Sequence, residues 1–184
     1  MQWECFLVFN RSVCDALRMA NIIQKVILNG KEVLFEWLPG GRELVGQFSP
    51  ITQAYGLCVN ESKEVAIVSD DEGKTWTLPG GSVEQGETVW QTLEREVAEE
   101  ADIEISGIKF LGLQKVTNES RIYYQARFFC RVKRILPQTI DPAKGKVLMR
   151  KFVPLATLNQ VLKWGNIADE LVRLSMNLAA RTAR

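Results

Sequence analysis

The chain switches between two patterns of apolar residues along most of its length. Several segments have the alternating or continuous apolar pattern that is typical of β-strands: residues 25–28, 33–38, 51–60, 64–70, 108–116, 121–135 and 146–154. In others, apolar residues recur at helical spacing: residues 13–23, 88–101, 155–163 and about 167–180. Because strands and helices are interleaved, the pattern predicts an α/β sandwich and not a bundle or a barrel.

A hairpin is predicted near the N-terminus. Asn29 and Gly30 lie between two apolar runs, which is the signal for a two-residue type I′ turn. The apolar side chains of its two strands are Val26, Leu28, Val33, Phe35 and Trp37. An isolated hairpin is marginally stable in water, so this surface has to pack on the rest of the chain or on a second copy. We favour the second arrangement, a homodimer.

The composition narrows the chemistry that this chain can perform. Its 184 residues include 23 basic and 22 acidic side chains, which gives a net charge of +1. This balance provides no general attraction for duplex nucleic acid or an anionic membrane, so we expect neither as a partner. The chain contains no histidine. Ser-His-Asp triads, Cys-His pairs and HExxH zinc sites are therefore excluded, which leaves carboxylates, Lys, Arg, Tyr, Cys or an oxygen-liganded metal.

The cysteines and the apolar runs bear on the compartment. Cys5, Cys14, Cys58 and Cys130 are far apart and form no CxxC pair, so we expect them to be reduced core residues. No apolar stretch reaches the length of about eighteen residues that a membrane helix needs, and the N-terminus has no basic leader. We therefore expect a cytoplasmic protein.

Residues 80–103 combine a glycine-rich loop with an acidic helix. Thr88 and Gln91 have the spacing of a capping box, which predicts that the helix begins there. The apolar stripe that this helix would bury is Val89, Leu93 and Val97. The stripe has the i, i+4, i+8 spacing of a core-facing surface. Another face of the same helix is left for its acidic residues.

Three carboxylates of this helix, those of Glu96, Glu99 and Glu100, fall on one face. Like charges at such spacings destabilise a helix by about 0.2–0.5 kcal/mol per pair, so the cluster needs compensation. A hard divalent cation supplies it through oxygen ligands. Gly80 and Gly81 allow the loop to bring a backbone carbonyl close to the same ion. A solvated acidic surface helix and a calcium-binding helix of an unrelated fold are the alternatives.

This stretch resembles the Nudix box, whose pattern is Gly-x5-Glu-x7-Arg-Glu-U-x-Glu-Glu-x-Gly-U, where U is an aliphatic residue. The matching residues are Gly81, Glu87, Arg95, Glu96, Val97, Glu99, Glu100 and Ile103. The departure is Asp102, which stands where the box has a glycine in the left-handed conformation at the helix end. Aspartate tolerates that conformation less well, at a cost of about 1 kcal/mol. We therefore expect altered helix termination but no lost catalytic group.

The resemblance implies an α/β (α+β) Nudix-type sandwich, with a mixed sheet packed between helices, over residues 49–184. Residues 1–48 would form an N-terminal extension that carries the hairpin. The resemblance also implies hydrolysis of a pyrophosphate bond in a nucleoside diphosphate derivative, by attack of water on phosphorus with Mg²⁺ or Mn²⁺ as cofactor. A non-catalytic Nudix-fold module that binds a nucleotide or a protein is the alternative.

The resemblance gives roles to the residues of the box. The ligands of the ion would be Gly80 through its carbonyl, Glu96, Glu99 and Glu100. Glu96 is alternatively the general base that activates the attacking water. Arg95 would orient the carboxylates through charge-assisted hydrogen bonds. Glu87 would be the partner of Arg95 or would contact the ion through water.

Substrate choice lies outside the box. The strand pattern at 121–135 places Arg121, Tyr123 and Arg127 on one face, where they could hold phosphates and stack on a base. Alternatively, these side chains face solvent. The loop sequence LPGGSVEQGE is similar to that of nucleoside triphosphate pyrophosphohydrolases and favours such a substrate. The N-terminal extension resembles that of ADP-ribose pyrophosphatases, so ADP-ribose and nucleotide sugars stay open as well.

Overall fold

A mixed sheet forms the centre of the molecule, which the computed structural model describes over residues 22–28 and 30–181. Within these residues the strands are β1 (Ile23–Leu28), β2 (Lys31–Pro39), β3 (Ile51–Val59), β4 (Glu64–Ser69), β5 (Gly80–Ser82), β6 (Ile103–Thr117), β7 (Ile122–Ile135) and β8 (Met149–Pro154). Their order is β1-β2-β6-β7-β3-β4-β8, and β5 pairs with β3 outside this path. β3 and β7 run parallel, whereas the other neighbours are antiparallel.

Helices cover both faces of the sheet. They are α1 (Leu44–Gln47), α2 (Val89–Ala101), α3 (Leu158–Leu162), which follows a 3₁₀ turn at Leu155–Thr157, and α4 (Asn166–Ala180). The apolar side of α2 belongs to one buried cluster, and those of α3 and α4 belong to a second one. The expected sandwich of a mixed sheet between helices is thus confirmed. None of the described helices is long and apolar enough to cross a membrane.

β7 shows how the sheet separates the two buried clusters. Phe128 and Cys130 lie in the cluster that includes α2, while Phe129 between them lies in the cluster that includes α4. Because side chains of a strand alternate between faces, Arg127 projects from the same face as Phe129. That face is covered at this point, and Arg127 is only 3% exposed. The alternative that Arg127 faces solvent is therefore wrong.

The hairpin packs on its own chain. β1 and β2 pair with Leu28 opposite Lys31, which confirms the predicted hairpin. β2 then pairs with β6, and Trp37, opposite Gln114, is 1% exposed in the cluster that includes α4. The hairpin therefore extends the central sheet. The domain division at residue 48 and the homodimer stay predictions.

Some expectations concern residues outside the described part of the chain. These are Cys5, Cys14, Asn29 and all but the last two residues of the helix predicted at 13–23. Ile23, where that helix was expected to end, is instead the first residue of β1. Of the cysteines in the described part, Cys58 and Cys130 are free and buried, as expected for core residues.

The largest shifts between predicted and observed strand starts are those of β6 and β8. β6 begins at Ile103, five residues before the predicted start at residue 108, because the chain turns directly from α2 into pairing with β7. Register shifts on both sides of Ser106 interrupt this pairing, so the alternation of apolar residues is lost there. β8 begins at Met149, three residues after the predicted start at residue 146.

The burial of Trp37 makes a prediction about the hairpin. Replacing a buried Trp by Ala costs about 3–5 kcal/mol of unfolding free energy, so Trp37→Ala should destabilise the whole domain by that order. The matched control is Ile27→Ala on the neighbouring strand, since Ile27 is 62% exposed and should cost less than about 0.5 kcal/mol. Urea unfolding measures both. Equal small losses would show that the hairpin does not contribute to the core.

Candidate functional site

The helix α2 is held in place by its cap and its apolar stripe. The backbone N–H of Gln91 donates to the Thr88 hydroxyl at 3.3 Å, and the Gln91 side chain accepts from the Thr88 N–H at 2.9 Å. This is the predicted capping box. The buried residues of the predicted stripe are Val89, Leu93 and Val97. The face of α2 that carries Glu96, Glu99 and Glu100, which we call the acidic face, is thereby directed towards the loop that contains Gly80 and Gly81.

Two glycines allow that loop to approach α2. Gly80 has φ +147° and lies opposite Tyr55 of β3. A Cβ atom at Gly80 would lie 2.2 Å from the carbonyl oxygen of Ala54, which is fixed backbone. A Cβ atom at Gly81 would lie 2.5 Å from the carboxylate of Glu96. Gly80 therefore allows the loop to pack against β3, and Gly81 allows it to pack against Glu96 on α2.

Arg95 donates hydrogen bonds to several carboxylates around the acidic face. Its Nε and Nη2 donate to the two oxygens of Glu87 at 2.8 and 3.0 Å. Its Nη1 donates to Glu96 at 2.9 Å and to Glu99 at 3.2 Å. The hydrogen bond from Arg95 lowers the pKa of Glu87 to about 2, and the same bond raises the pKa of Arg95. Such charge-assisted hydrogen bonds are what an arginine that orients carboxylates would make, and that role of Arg95 stays a prediction.

Glu100 has a different pair of partners. Its Oε2 accepts the backbone N–H of Gly80 at 2.9 Å, and its Oε1 accepts the Lys144 ammonium at 2.6 Å. Burial raises the pKa of Glu100, which is 4% exposed, and raises that of Glu96. Burial disfavours the Lys144 ammonium, but its hydrogen bond with Glu100 leaves the Lys144 pKa above its ordinary value.

The donors on this face fit a divalent cation. Carboxylate oxygens are the ligands that Mg²⁺ and Mn²⁺ prefer, and burial makes the charges of Glu96 and Glu100 costly without a cation. Arg95 and Lys144 now supply that positive charge. Within the part of the chain that the structure describes, no three acidic or cysteine side chains form a ready metal cage. An ion would therefore have to draw these carboxylates together.

Asp102 ends α2 in the conformation that the box glycine would adopt. Its φ and ψ are both 48°, in the left-handed region, and its N–H donates to the Ala98 carbonyl at 3.1 Å. Its carboxylate accepts the Thr139 N–H at 3.2 Å and the Thr139 hydroxyl at 2.6 Å. The expected change in helix termination does not occur, because a short polar side chain tolerates the left-handed conformation and Thr139, 37 residues further along the chain, holds the Asp102 carboxylate in place.

A cavity of about 330 Å³ lies beside this cluster. The residues that line it are Gln24, Val26, Phe35, Tyr55, Thr77, Gln114, Gln125, Arg127, Lys163, Trp164 and Ile167. Tyr55 connects it to the acidic face, since its strand partner is Gly80. Burial raises the pKa of Tyr55, so this phenol stays neutral and can act as a hydrogen-bond donor.

Hydrogen bonds fix the Arg127 guanidinium in this cavity through two of its three nitrogens. Its Nε and Nη2 donate to Gln114, the latter at 2.8 Å, and Nη2 also donates to Gln125 at 2.7 Å. The guanidinium lies 4.5 Å from the ring of Tyr55 and 5.3 Å from that of Trp164. Its Nη1 is buried and has no hydrogen-bond partner among the residues that the structure describes. Burial lowers the pKa of Arg127 to about 10.

The three residues proposed for substrate binding are not placed together. Arg127 lines the cavity, whereas Arg121 is exposed and stacks on Tyr123 at 4.9 Å, and neither of these two lines it. The sequence reasoning missed Lys144 and Trp164. Each lies in a turn between predicted elements, where no local pattern marks a residue as part of a site.

The two loop glycines yield a paired prediction. Gly80→Ala should cost more than about 2 kcal/mol of unfolding free energy, because its Cβ meets rigid backbone in a strained conformation. Gly81→Ala should cost less than about 1 kcal/mol, since the Glu96 side chain can move aside. Urea unfolding of both variants checks this. Equal costs would contradict the close approach of the loop to β3.

Comparison with known proteins agrees with this geometry. Residues 51–174 match the family model of the NUDIX domain. Nudix hydrolase 7 of Arabidopsis thaliana is 24% identical over 155 residues, which cover 76% of this chain and 55% of the relative. The putative 8-oxo-dGTP diphosphatase YtkD of Bacillus subtilis is 27% identical over 86 residues, which cover 46% and 54%. The chain spans about half the length of the curated relatives it matches.

Solved structures support the same fold. A mutant of the Bacillus subtilis pyrophosphohydrolase BsRppH superposes with a TM-score of 0.63 at 15% sequence identity. The superposition covers 84% of this chain and 97% of that protein. At this level of identity the likeness concerns the fold. Because the family model spans most of the sequence and the box residues converge on one face of α2, the chain belongs to the NUDIX domain family.

Proposed function

We propose that this chain hydrolyses a pyrophosphate bond in a nucleoside diphosphate derivative with Mg²⁺ or Mn²⁺ as cofactor. The observation that carries the proposal is the convergence of Arg95, Glu96 and Glu100 against the Gly80 loop. Beside them lies a cavity with an arginine nitrogen that has no partner in the described part of the chain. Two of the proteins that this chain resembles are named a pyrophosphohydrolase and an 8-oxo-dGTP diphosphatase. Those names support phosphoric anhydrides as the substrate class.

The ion would be held by the carboxylates of Glu96, Glu99 and Glu100, together with the carbonyl of Gly80. A bound divalent ion neutralises phosphoryl charge and makes water more acidic. Arg95 orients Glu96 and Glu99 while Glu87 fixes the guanidinium from the other side. Removing Arg95 would therefore disturb the acidic face as a unit.

Glu96 is the residue that we assign to the attacking water. It lies against Gly81, where the absence of a side chain leaves its carboxylate at the loop surface. Burial raises the pKa of Glu96, and a raised pKa suits a carboxylate that accepts a proton from water. Glu100 is hydrogen-bonded on both oxygens and more buried, so it is better suited to holding charge than to moving a proton.

The cavity would take the nucleoside end of the substrate. Its volume is that of a small ligand pocket, and Phe35, Tyr55 and Trp164 provide aromatic surface for a flat ring. The Nη1 group of Arg127 would donate to an acceptor on that ring. Because Tyr55 adjoins both the cavity and Gly80, the phosphates would extend towards the acidic face. Nucleoside triphosphates are the favoured substrates.

The proposal is tested first with a substrate panel and two carboxylate variants. Nucleoside triphosphates, ADP-ribose and a nucleotide sugar are incubated with Mg²⁺ or Mn²⁺, and released phosphate or pyrophosphate is measured. Glu96→Gln and Glu100→Gln should each lower turnover by about 100-fold or more with folding intact. Glu94→Gln is the control, because Glu94 is exposed on the same helix. EDTA should abolish activity.

The outcomes separate the two hypotheses for this fold. A Glu96 or Glu100 variant with a near wild-type rate would contradict the assignment of the acidic face. If the protein binds the ion but hydrolyses none of the nucleotides, the non-catalytic binding module is favoured instead. The homodimer and the cytoplasmic location stay predictions.

The assignment of the cavity rests on Arg127 and predicts an effect on substrate affinity. Arg127→Met should raise KM by about 10-fold or more, since a charge-assisted hydrogen bond to substrate is lost. The change leaves the Gln114 and Gln125 oxygens without their donor, at a cost of about 1–3 kcal/mol of unfolding free energy, so KM is measured at a temperature where the variant is still folded. Arg121→Met is the control on the same strand. A raised KM in the control alone would place recognition at the exposed end of β7 instead.

A further inference from the structure

A loop next to the acidic face carries a lysine that the box does not include. We define the Lys144 loop as residues 136–148, which connect β7 to β8. It is tied to the end of α2, where the Leu136 N–H donates to the Asp102 carbonyl at 2.8 Å. Thr139 donates to the Asp102 carboxylate through its N–H and, at 2.6 Å, through its hydroxyl. The departure from the box, Asp102, is thus the anchor of this loop.

The turn that carries Lys144 is rigid. Asp141 is 2% exposed, and its Oδ1 accepts the N–H groups of Ala143 at 2.7 Å and Lys144 at 2.9 Å. The Gly145 N–H donates to the Asp141 carbonyl at 2.8 Å. These bonds fix the backbone from which the Lys144 side chain starts. The loop therefore holds its ammonium group at a defined place.

The Lys144 ammonium lies against the carboxylate of Glu100. The Lys144 Nζ lies 2.6 Å from Glu100 Oε1, and the Glu100 side chain is 5% exposed. A second carboxylate is near, since Nζ lies 3.9 Å from Oδ2 of Asp70, which is half exposed. The lysine therefore has a buried partner now and a solvent-facing partner within a small movement of its side chain.

We propose that Lys144 is the counter-cation of Glu100 in the ion-free protein and that a divalent ion binds Glu100 by displacing it. This inference rests on the proposed function, because it concerns the same carboxylate. A buried carboxylate in its ionised form is costly unless a positive partner lies next to it. The ammonium group meets this need until the ion arrives, and the two cations compete for one oxygen. Asp70 receives the displaced ammonium.

The test is a Mn²⁺ titration of the full chain after removal of metal with EDTA, read by the electron paramagnetic resonance signal of free Mn²⁺. Lys144→Met removes the competitor and should bind Mn²⁺ about 10-fold tighter, the factor that corresponds to a charge-assisted hydrogen bond. The control is Lys146→Met, which removes the same charge from the same loop. The ammonium of Lys146 contacts the Asp70 carbonyl instead, so its affinity should change much less.

Two further variants separate competition from a simple loss of positive charge. Thr139→Val changes no charge but removes the hydroxyl anchor on Asp102, so it should tighten Mn²⁺ binding by loosening the hold of Lys144 on Glu100. Its effect should vanish when Lys144→Met is already present. Thermal unfolding provides a second measurement. Lys144→Met should lower Tm in the ion-free protein and much less at saturating Mn²⁺, whereas a merely structural lysine would lower both equally.

The results distinguish this inference from the proposed function. If wild type binds Mn²⁺ but Lys144→Met binds it no more tightly than Lys146→Met does, the competition is wrong and the metal site stands. If wild type binds neither Mn²⁺ nor Mg²⁺, the proposed function fails and the competition fails with it. Tighter binding in Lys144→Met and Thr139→Val without additivity supports the displacement.

Discussion

Repulsion among the carboxylates of α2 is the constraint that the site has to satisfy. Glu96, Glu99 and Glu100 share a face that is partly shielded from water, where like charges interact more strongly than at an open surface. Arg95 neutralises the first two from within the helix. Glu100 is deeper and obtains its partners, the Gly80 N–H and Lys144, from two other segments. The charge of Glu100 is therefore compensated only when two segments outside α2, the Gly80 loop and the Lys144 loop, are in place.

The strand β3 joins the acidic face to the cavity. Tyr55 lies opposite Gly80 on one side, and its ring lies 4.5 Å from the Arg127 guanidinium on the other. A buried guanidinium is costly unless most of its donors are paired. Gln114 and Gln125 accept three hydrogen bonds from it, and Nη1 has no partner within residues 22–28 and 30–181. In a folded protein such an unpaired buried group is rare. The cavity therefore favours a ligand that has a hydrogen-bond acceptor for Nη1 and a flat surface for its aromatic side chains.

The sequence predicted what depends on near neighbours along the chain. The cap at Thr88 and the apolar stripe of α2 follow from spacings of a few residues, and the structure has them as expected. The contact of Arg95 with Glu87 was implied by the resemblance to the Nudix box and not by spacing alone. Contacts between distant segments could not be read in this way. Lys144 reaches Glu100 across 44 positions, and Trp164 stacks on Arg127 from a turn without periodicity. Burial of Arg127 depends on which helices cover its face, which strand alternation alone does not specify.

Asp102 illustrates how a departure from a motif can be accommodated by the surrounding structure. Glycine supports the end of a helix through backbone freedom, whereas aspartate has to offset an unfavourable conformation. Here its carboxylate accepts hydrogen bonds from two groups of Thr139, the N–H and the hydroxyl, while Arg150 donates to its carbonyl at 3.1 Å. A glycine could end the helix equally well but could not bind Thr139. Aspartate at this position therefore ties the segment that follows β7 to the end of α2, and the same segment carries Lys144, whose ammonium contacts Glu100.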